Sequence, residues 1–411
     1  MHGRWESSKR WALRSPRPPA TRRAPAGSEA NARPEVRLRP GLRLSAAPSL
    51  ATVPSIEPLA LEWEELASRV GAPPFVRPGW VGAWWRHFGV GTLEIRTLRR
   101  HGRLAAVLPV ARRSGSLRSV TNYHSPLSGL LAEDRAAATE LARTLFASGP
   151  RHVSFTSLSP GGTSLTACLL AAEEAGYRVV VRPFQRSPSL DVQGDLAGYE
   201  SGLSRNLVAD LRRSRRRLDE QGKVVVEIAR GRARLEQLLG EVFAVEASGW
   251  KGARNTAIRS RPETRGFYTD VARWAAARDT LRIFLLRLDR LPVAMLYAVQ
   301  EAGACHLLKG GYHPAYRRFS PGKLLMHAVV SHCFATGVSR LELHGDAEPY
   351  KLRWASAVCE RKRIDAFSPT PAGVLAWAAL AVAGPAVKRL LRVGSWRGRV
   401  GGATDRLERV P

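Results

Sequence analysis

The chain has 411 residues, 44% of them hydrophobic and 24% charged, which is enough apolar material for two compact domains and excludes disorder throughout or collagen-like repetition. Its 64 Lys and Arg against 35 Asp and Glu give a net charge of +29, an excess that favours nucleic acid, acidic lipid headgroups or phosphorylated small molecules as partners. Cys168, Cys305, Cys333 and Cys359 stand far apart with no CxxC pair, which argues against a zinc ribbon or a disulfide framework and fits a reducing cytoplasm.

Residues 1–50 carry eleven Lys or Arg against three acids and show no sustained periodicity, so they read as a disordered basic extension. No continuous apolar run follows the basic residues, as a secretory signal would require. Periodic sequence begins near residue 54. Leu59, Leu61, Trp63, Leu66 and Val70 predict a helix, and Trp80, Trp84 and Phe88 predict another after Pro73-Pro74. Leu93–Leu98 and Leu104–Ala111 flank the turn His101-Gly102-Arg103 and predict a hairpin. A helix over 135–147, a strand over 152–158, a helix over 162–175 and a strand over 178–183 complete a mixed first half, 51–200. The second half, 201–366, opens with a basic helix over 205–220 and a strand at Val224–Ile228. Helices over 233–247 and 263–277 precede three strands, Leu281–Leu288, Val293–Val299 and Ala304–Tyr312. A helix from Ser320 to Ala335, a strand at Arg340–His344 and a short helix at Tyr350–Trp354 follow, which together predict an α+β domain on a mainly antiparallel sheet. In the tail, 367–411, the apolar run Val374–Ala383 is half the length of a spanning helix and is expected to pack on the domain. With Lys388, Arg389 and Arg392 behind it, contact with an anionic membrane surface is the alternative.

Three constellations carry chemistry. In the first, the strand ending at Tyr312 leads through Tyr316, Arg317 and Arg318 to the helix start Ser320-Pro321-Gly322-Lys323. Free N–H groups at that start, with Arg317, Arg318 and Lys323, suit a pyrophosphate. A P-loop is excluded, since Arg317 stands where its first Gly is needed and Leu324 where Ser or Thr is needed. In the second, His344, Asp346 or Glu348 could accept a proton, Tyr350 could donate one, and Lys351 could orient a carboxylate or phosphate. The third is Ser204–Leu218, where Arg205, Arg212, Arg213, Arg215, Arg216 and Arg217 face one acid, Asp210. It reads as a solvated face or as a surface for tRNA, lipid phosphates or a nucleotide-sugar, and no accompanying motif supports DNA reading. His327 and His332 are five apart on a helix, off the four-residue spacing of a metal pair, so no metal site is expected.

The order Leu203-Ser204-Arg205-Asn206, Ser248-Gly249-Trp250-Lys251, Gly266-Phe267-Tyr268, Gly311-Tyr312, Ser320-Pro321-Gly322 and Gly345-Asp346-Ala347-Glu348-Pro349-Tyr350-Lys351 resembles the FemAB-like acyltransferases of the GNAT superfamily, in particular the BioF2-like or CelD-like branch associated with polysaccharide biosynthesis. The resemblance covers residues 54–366 and implies two tandem GNAT-like halves, the second holding the acyl-CoA site. It places the pantetheine along the strand ending at Tyr312 and the pyrophosphate at Ser320-Pro321-Gly322-Lys323, although the usual Q/RxxGxG/A loop is replaced by Arg317-Arg318-Phe319-Ser320-Pro321-Gly322. It implies direct attack by an amine on a thioester, with Asp346 or Glu348 as base and Tyr350 as acid. Backbone N–H groups of that strand would stabilise the oxyanion, and the acceptor would lie between the halves near Tyr123, His124, Arg205, Trp250 and Lys251. The implied acceptor is a small amine, such as an amino-sugar or envelope precursor, and the enzyme would be cytoplasmic or peripheral at the inner membrane face. The alternatives are a Fem-like transferase using aminoacyl-tRNA and a non-catalytic basic protein on nucleic acid or membrane.

Overall fold

A computed structural model of the chain describes residues 48–383, so the expectations for the N-terminal extension before 48 and for the basic tail after 383 lie outside these residues. The chain divides into two compact units, one formed mainly by residues 50–187 with a return after 357, the other by 188–357.

The first unit begins with β1 (Ser49–Val53), α1 (Ala60–Arg69) and α2 (Pro78–Phe88), followed by β2 (Thr92–Arg100), β3 (Arg103–Arg113), β4 (Ser116–Ser119) and β5 (Leu131–Ala132). Then come α3 (Arg135–Ala147), β6 (His152–Leu158), α4 (Thr163–Glu174) and β7 (Arg178–Asp191). The hairpin turns at His101 and Gly102, both at positive φ, and α3 starts at Asp134, whose carboxylate accepts from Ala137 N at 2.7 Å. Leu141, Leu145 and Phe146 of α3 and Leu165, Cys168 and Ala172 of α4 pack against Val110, Val153 and Phe155, each fully buried apolar side chain contributing about 1.5–3 kcal/mol.

The second unit holds α5 (Leu196–Ser201), α6 (Arg205–Asp219), β8 (Val224–Ala229), α7 (Leu235–Ala247), α8 (Trp250–Ala253), α9 (Pro262–Ala277), β9 (Leu281–Leu288), β10 (Leu291–Glu301) and β11 (Ala304–Tyr312). After a 3-10 turn at Pro314–Phe319 come α10 (Pro321–Ala335), β12 (Arg340–Glu342) and α11 (Pro349–Leu352). The strand order runs from the last residues of β7 through β12, β11, β10 and β9 to β8, antiparallel except for the β11–β12 pair. Cys305, Leu307, Leu341 and Leu343 turn one face of this sheet into a core with Leu324, Leu325 and Val329 of α10 and Leu207 and Leu218 of α6. The alternate residues His306, Glu342 and His344 therefore point to the opposite face.

The structure departs from expectation in three places. A strand, β13 (Ala357–Phe367), follows α11 and returns to the first unit, so the compact units divide at 187/188 and 357/358, where 200/201 and 366/367 were expected. Its run Glu360-Arg361-Lys362-Arg363 hides the alternation that would mark a strand. β7 extends to Asp191, well past 183, because Ser189–Asp191 pair with β12. The apolar segment after Pro371 forms α12 (Pro371–Ala378), which packs only in part: Trp377 is half-buried with Arg178 over its ring at 5.8 Å, while Leu375 is 72% exposed and Val374 also lies at the surface. No helix among the described residues is long and apolar enough to cross a membrane.

Candidate functional site in the second unit

The site begins where two parallel strands part. The β11–β12 ladder covers only Ala304–His306 against Arg340–Glu342, so Leu307–Tyr312 run on past the end of β12 as roughly 20 Å of strand edge. Two glycines keep the far end of this strand thin. A Cβ on Gly310 would meet Leu296 Cδ2 at 2.6 Å, and one on Gly311 would meet the Glu246 backbone at 2.9 Å.

The strand leads directly to a helix start. Ser320, at φ 49°, ends the 3-10 turn and precedes Pro321, which has no N–H, and the serine side chain makes no capping bond. Lys323 N and Leu324 N both donate to Ser320 O, at 3.0 and 3.3 Å, which leaves the Gly322 N–H among the donors a helix start cannot satisfy internally. Tyr312 closes on this turn, its ring 3.4 Å from where a Gly322 Cβ would stand. Arg317 and Arg318 are exposed beside it, Arg318 lying over the Phe319 ring at 4.7 Å. Tyr316 is half-buried against the core and edge-on to His313. Lys323 donates to Asp210 of α6 at 2.5 Å, so part of its charge is already compensated. Lys323 in turn holds the Asp210 carboxyl below its usual range against the opposing effect of burial, with Arg213 assisting.

Helix α6 is less bare than its sequence suggests. Arg213 pairs with Asp210, Arg215 with Asp219 and, more loosely, Arg216 with Glu220 at 3.9 Å, the last two acids lying just beyond the stretch read as basic. Arg205 is exposed at its first turn, where Ser204 Oγ accepts from Leu207 N.

Behind the free edge lies a buried ionic cluster that sequence reading did not single out. Glu246 of α7 is 2% exposed, accepts from Ile258 N at 2.8 Å and pairs with Lys251 at 3.2 Å. Lys251 also donates to the Gly310 carbonyl at 2.7 Å, so this residue, expected at an acceptor site, grips the strand. Lys309 is buried over the Tyr268 ring, and burial pulls its pKa down while Glu246 opposes the shift. A single acid in the apolar run Val242-Phe243-Ala244-Val245-Glu246-Ala247 was the signal available in the sequence.

The loop after β12 is organised by Lys351. Its ammonium donates to His344 O at 2.8 Å and Asp346 O at 3.2 Å and pairs with Glu348 at 2.9 Å. Gly345, at φ 65°, passes so close that a Cβ there would lie 2.7 Å from Lys351 Nζ. Asp346 and Glu348 are exposed, and Tyr350 is 55% exposed. The surrounding protein, and then Glu348, push the Tyr350 phenol well above its usual value. Beneath this loop His344 meets His306 of β11, Nδ1 of His306 lying 3.1 Å from Nε2 of His344, and both rings are buried. His306 was missed because a lone histidine in an apolar strand carries no motif.

In the first unit Tyr123 is 74% exposed, and His124 stacks on Phe88 at 5.3 Å. Arg205, Trp250, Lys251 and Lys351 belong to the second unit, which brings Lys251 to the β11 edge and Lys351 to the loop after β12. Both units contain a strand, helix and parallel strand in sequence, β4–α3–β6 and β11–α10–β12. Of these two connections, the second has the uncapped helix start. The start of α3 carries Glu133 and Asp134, and β4 stops at Ser119 without a comparable free edge.

Residues 205–352 match the acetyltransferase (GNAT) domain family. No curated protein matches the chain. Among solved structures, FemX is similar with a TM-score of 0.54 at 10% identity, over 80% of this chain and 100% of that one, a likeness of fold alone. The C-terminal domain (DUF2156) of an Agrobacterium fabrum chain assigned as a lysylphosphatidylglycerol synthetase aligns at 0.49 and 13% identity, over 80% and 97%. A tandem GNAT protein from the clavulanic acid biosynthesis pathway aligns at 0.43 and 13%, over 78% and 100%. The chain is thus an α+β protein of two compact units, the second of which matches the acetyltransferase (GNAT) domain family over residues 205–352.

Proposed function

We propose that the second half is an N-acyltransferase that moves an acyl group from acyl-CoA to the amine of a small acceptor, an amino-sugar or a polysaccharide or cell-envelope precursor being the acceptor class. The observation that carries this reading is the continuity of the free β11 edge with the uncapped α10 start, flanked by Arg317 and Arg318. An extended thioester arm fits a strand edge, where it can exchange main-chain hydrogen bonds, and its pyrophosphate fits the positive end of a helix. Tyr312, Tyr316, Arg317, Arg318, Ser320, Pro321, Gly322 and Lys323 would hold the donor. Backbone N–H groups of Leu307–Tyr312 would stabilise the oxyanion that forms when the amine adds to the carbonyl.

The proton acceptor comes from the strand ends and the loop that follows: the carboxylates Asp346 and Glu348, or the histidines His306 and His344. Tyr350, beside Glu348 on the same loop, is a candidate to protonate the leaving thiolate. Lys251 and Lys351 support the strand and the loop.

Calorimetric titration of the full chain with acetyl-CoA tests the donor assignment. Saturable binding in the wild type and its loss in Gly322→Trp, whose indole would fill the turn against Tyr312, is the expected result. Wild-type protein that binds neither acetyl-CoA nor a longer acyl-CoA would sink the reading. A second reading, transfer from aminoacyl-tRNA, draws on the exposed arginines Arg212, Arg216 and Arg217 of α6, and tRNA binding that weakens steeply with salt would favour it.

A further inference from the structure

We infer that His306 and His344 act as one proton-sharing pair that takes the proton of the attacking nucleophile and returns it to the leaving thiolate. The inference rests on the acyl-transfer reading and assigns its proton acceptor. Three observations converge on the pair.

Position is the first. His306 is the last residue of β11 paired to β12, opposite Glu342, so it stands at the point where the strands part. His344 lies just beyond the end of β12 on the same face, away from the Leu307 and Leu343 core. A thioester laid along Leu307–Tyr312 would bring its reacting end toward this fork.

Geometry is the second. The ring planes are within 9° of each other, with centroids 5.2 Å apart and facing nitrogens 3.1 Å apart. That separation places the rings edge to edge, nearly coplanar, so one nitrogen's lone pair points along the other ring's N–H. Of the two facing nitrogens only one can carry a proton, since two N–H groups cannot face each other at this distance. The neutral pair thus already holds one proton between the facing nitrogens, and a further proton taken up at a buried outward nitrogen, His306 Nε2 or His344 Nδ1, moves the shared one across without rotation of either ring.

The third is the support given to His344. It adopts φ 48°, followed by Gly345 at φ 65°, a backbone conformation that is costly for a residue with a Cβ. Lys351 pins this bend by donating to His344 O and Asp346 O. The surrounding charges occur in opposed pairs: Glu342 with Arg340, Lys351 with Glu348, and Glu246 with Lys251 and, more remotely, Lys309. Asp346 and Glu348, by contrast, are exposed, whereas both rings of the pair are held in a buried site at the fork.

In the step itself, the amine nitrogen forms a bond to the thioester carbon while the carbonyl π electrons move to oxygen. The pair takes one N–H proton. The C=O bond re-forms, the C–S bond breaks with its electrons on sulfur, and the proton moves from the pair to the thiolate, giving amide and free CoA.

The test uses the full chain and acetyl-CoA, with glucosamine as the amine probe and water as the background nucleophile, and reads thiol release with a chromogenic disulfide. For His306→Gln and His344→Gln the expected result is at least a 100-fold fall in kcat, with the acetyl-CoA Kd within threefold of wild type. The acid limb of the wild-type pH profile should disappear with it. Lys351→Met, which only loosens the loop, should lower kcat about tenfold and keep the limb. Histidine variants that keep kcat within threefold overturn the assignment, and so does loss of the limb in Asp346→Asn or Glu348→Gln instead. If the glutamine variants do not fold, ¹⁵N imidazole spectra of the wild type decide: one shared proton supports the pair, and two independent titrations overturn it. Wild-type protein that binds acetyl-CoA but releases no thiol overturns the pair's role while leaving the donor site intact. Absence of acetyl-CoA binding defeats the acyltransferase reading itself.

Discussion

Asp365 shows how a single charge can be kept inside this basic chain. It is 1% exposed and accepts from Ser154 Oγ at 2.9 Å, from Arg363 at 2.8 and 2.9 Å and from Arg182 at 2.6 Å, with His152 Nε2 at 3.2 Å. Burial pushes the carboxyl pKa up, but His152, Arg363, Arg182 and Ser154 outweigh it and hold the group far below its usual value. A folded pKa below the unfolded one gives stability that is complete above the unfolded value of about 3.9 and drains away as the pH falls below it. Asp365→Asn removes the charge and leaves two guanidinium groups short of their partner. Both arginines are about a third exposed, so the solvent-screened cost is about 2 kcal/mol rather than the 3–5 expected for a fully buried pair. Urea unfolding of the first transition should show this loss at pH 7 and a smaller one at pH 3. Equal losses at both values would mean that the ionised carboxylate contributes no stability beyond its packing.

At the scale of elements, the start of α10 is the proposed donor turn, and its serine makes no capping bond there. Asp210 restrains Lys323, so the mobile positive charge at the turn comes from Arg317 and Arg318. The double substitution Arg317→Ala and Arg318→Ala should weaken acetyl-CoA binding about tenfold or more and flatten its salt dependence, whereas unchanged affinity at 50 mM salt would move the pyrophosphate elsewhere. Most elements here were legible because each carries its period openly: Leu281–Leu288 as a strand with the apolar run Ile283–Leu286 at its centre, and Trp80, Trp84 and Phe88 as one helical stripe. The start of α10 was legible for a related reason, since Pro321 stands at its first position, where proline is favoured. What stayed hidden depends on contacts distant in sequence. β13 is basic because Ser154 and Ser159 receive Arg363 and Arg361 from across the sheet, beside the Arg363–Asp365 pair within the strand, and the tail helix α12 looks like a core helix although its Leu375 face is at the surface. Among site residues, His306 and Glu246 gain meaning only from His344 and Lys251, which lie 38 residues away and across a helix end respectively. Lys351 carried the opposite difficulty, since a lysine in a polar loop reads as a ligand-binding group until its donors are traced to the loop itself.

At the scale of the molecule, the two halves repeat one connection but only one of them has the parts of a donor site. Three features must coincide: a strand edge that outruns its parallel neighbour, a helix start free of acids, and flanking cations. The second half has all three in Leu307–Tyr312, Ser320–Gly322 and Arg317–Arg318. In the first half, β4 ends at Ser119, a loop and the short strand β5, paired to β3, intervene, and α3 opens on Glu133 and on Asp134, whose carboxylate already occupies the first-turn donor of Ala137. A phosphate brought there would meet like charge where the second half offers opposite charge. Calorimetry with acetyl-CoA should therefore give a stoichiometry of about one per chain. Removing the obstruction by Asp134→Ala should not raise it, because the missing strand edge cannot be supplied by one substitution. A wild-type value near two would show that a capped helix start and a four-residue strand are enough to hold the donor, and the assignment of a single site to the second half would fall with it.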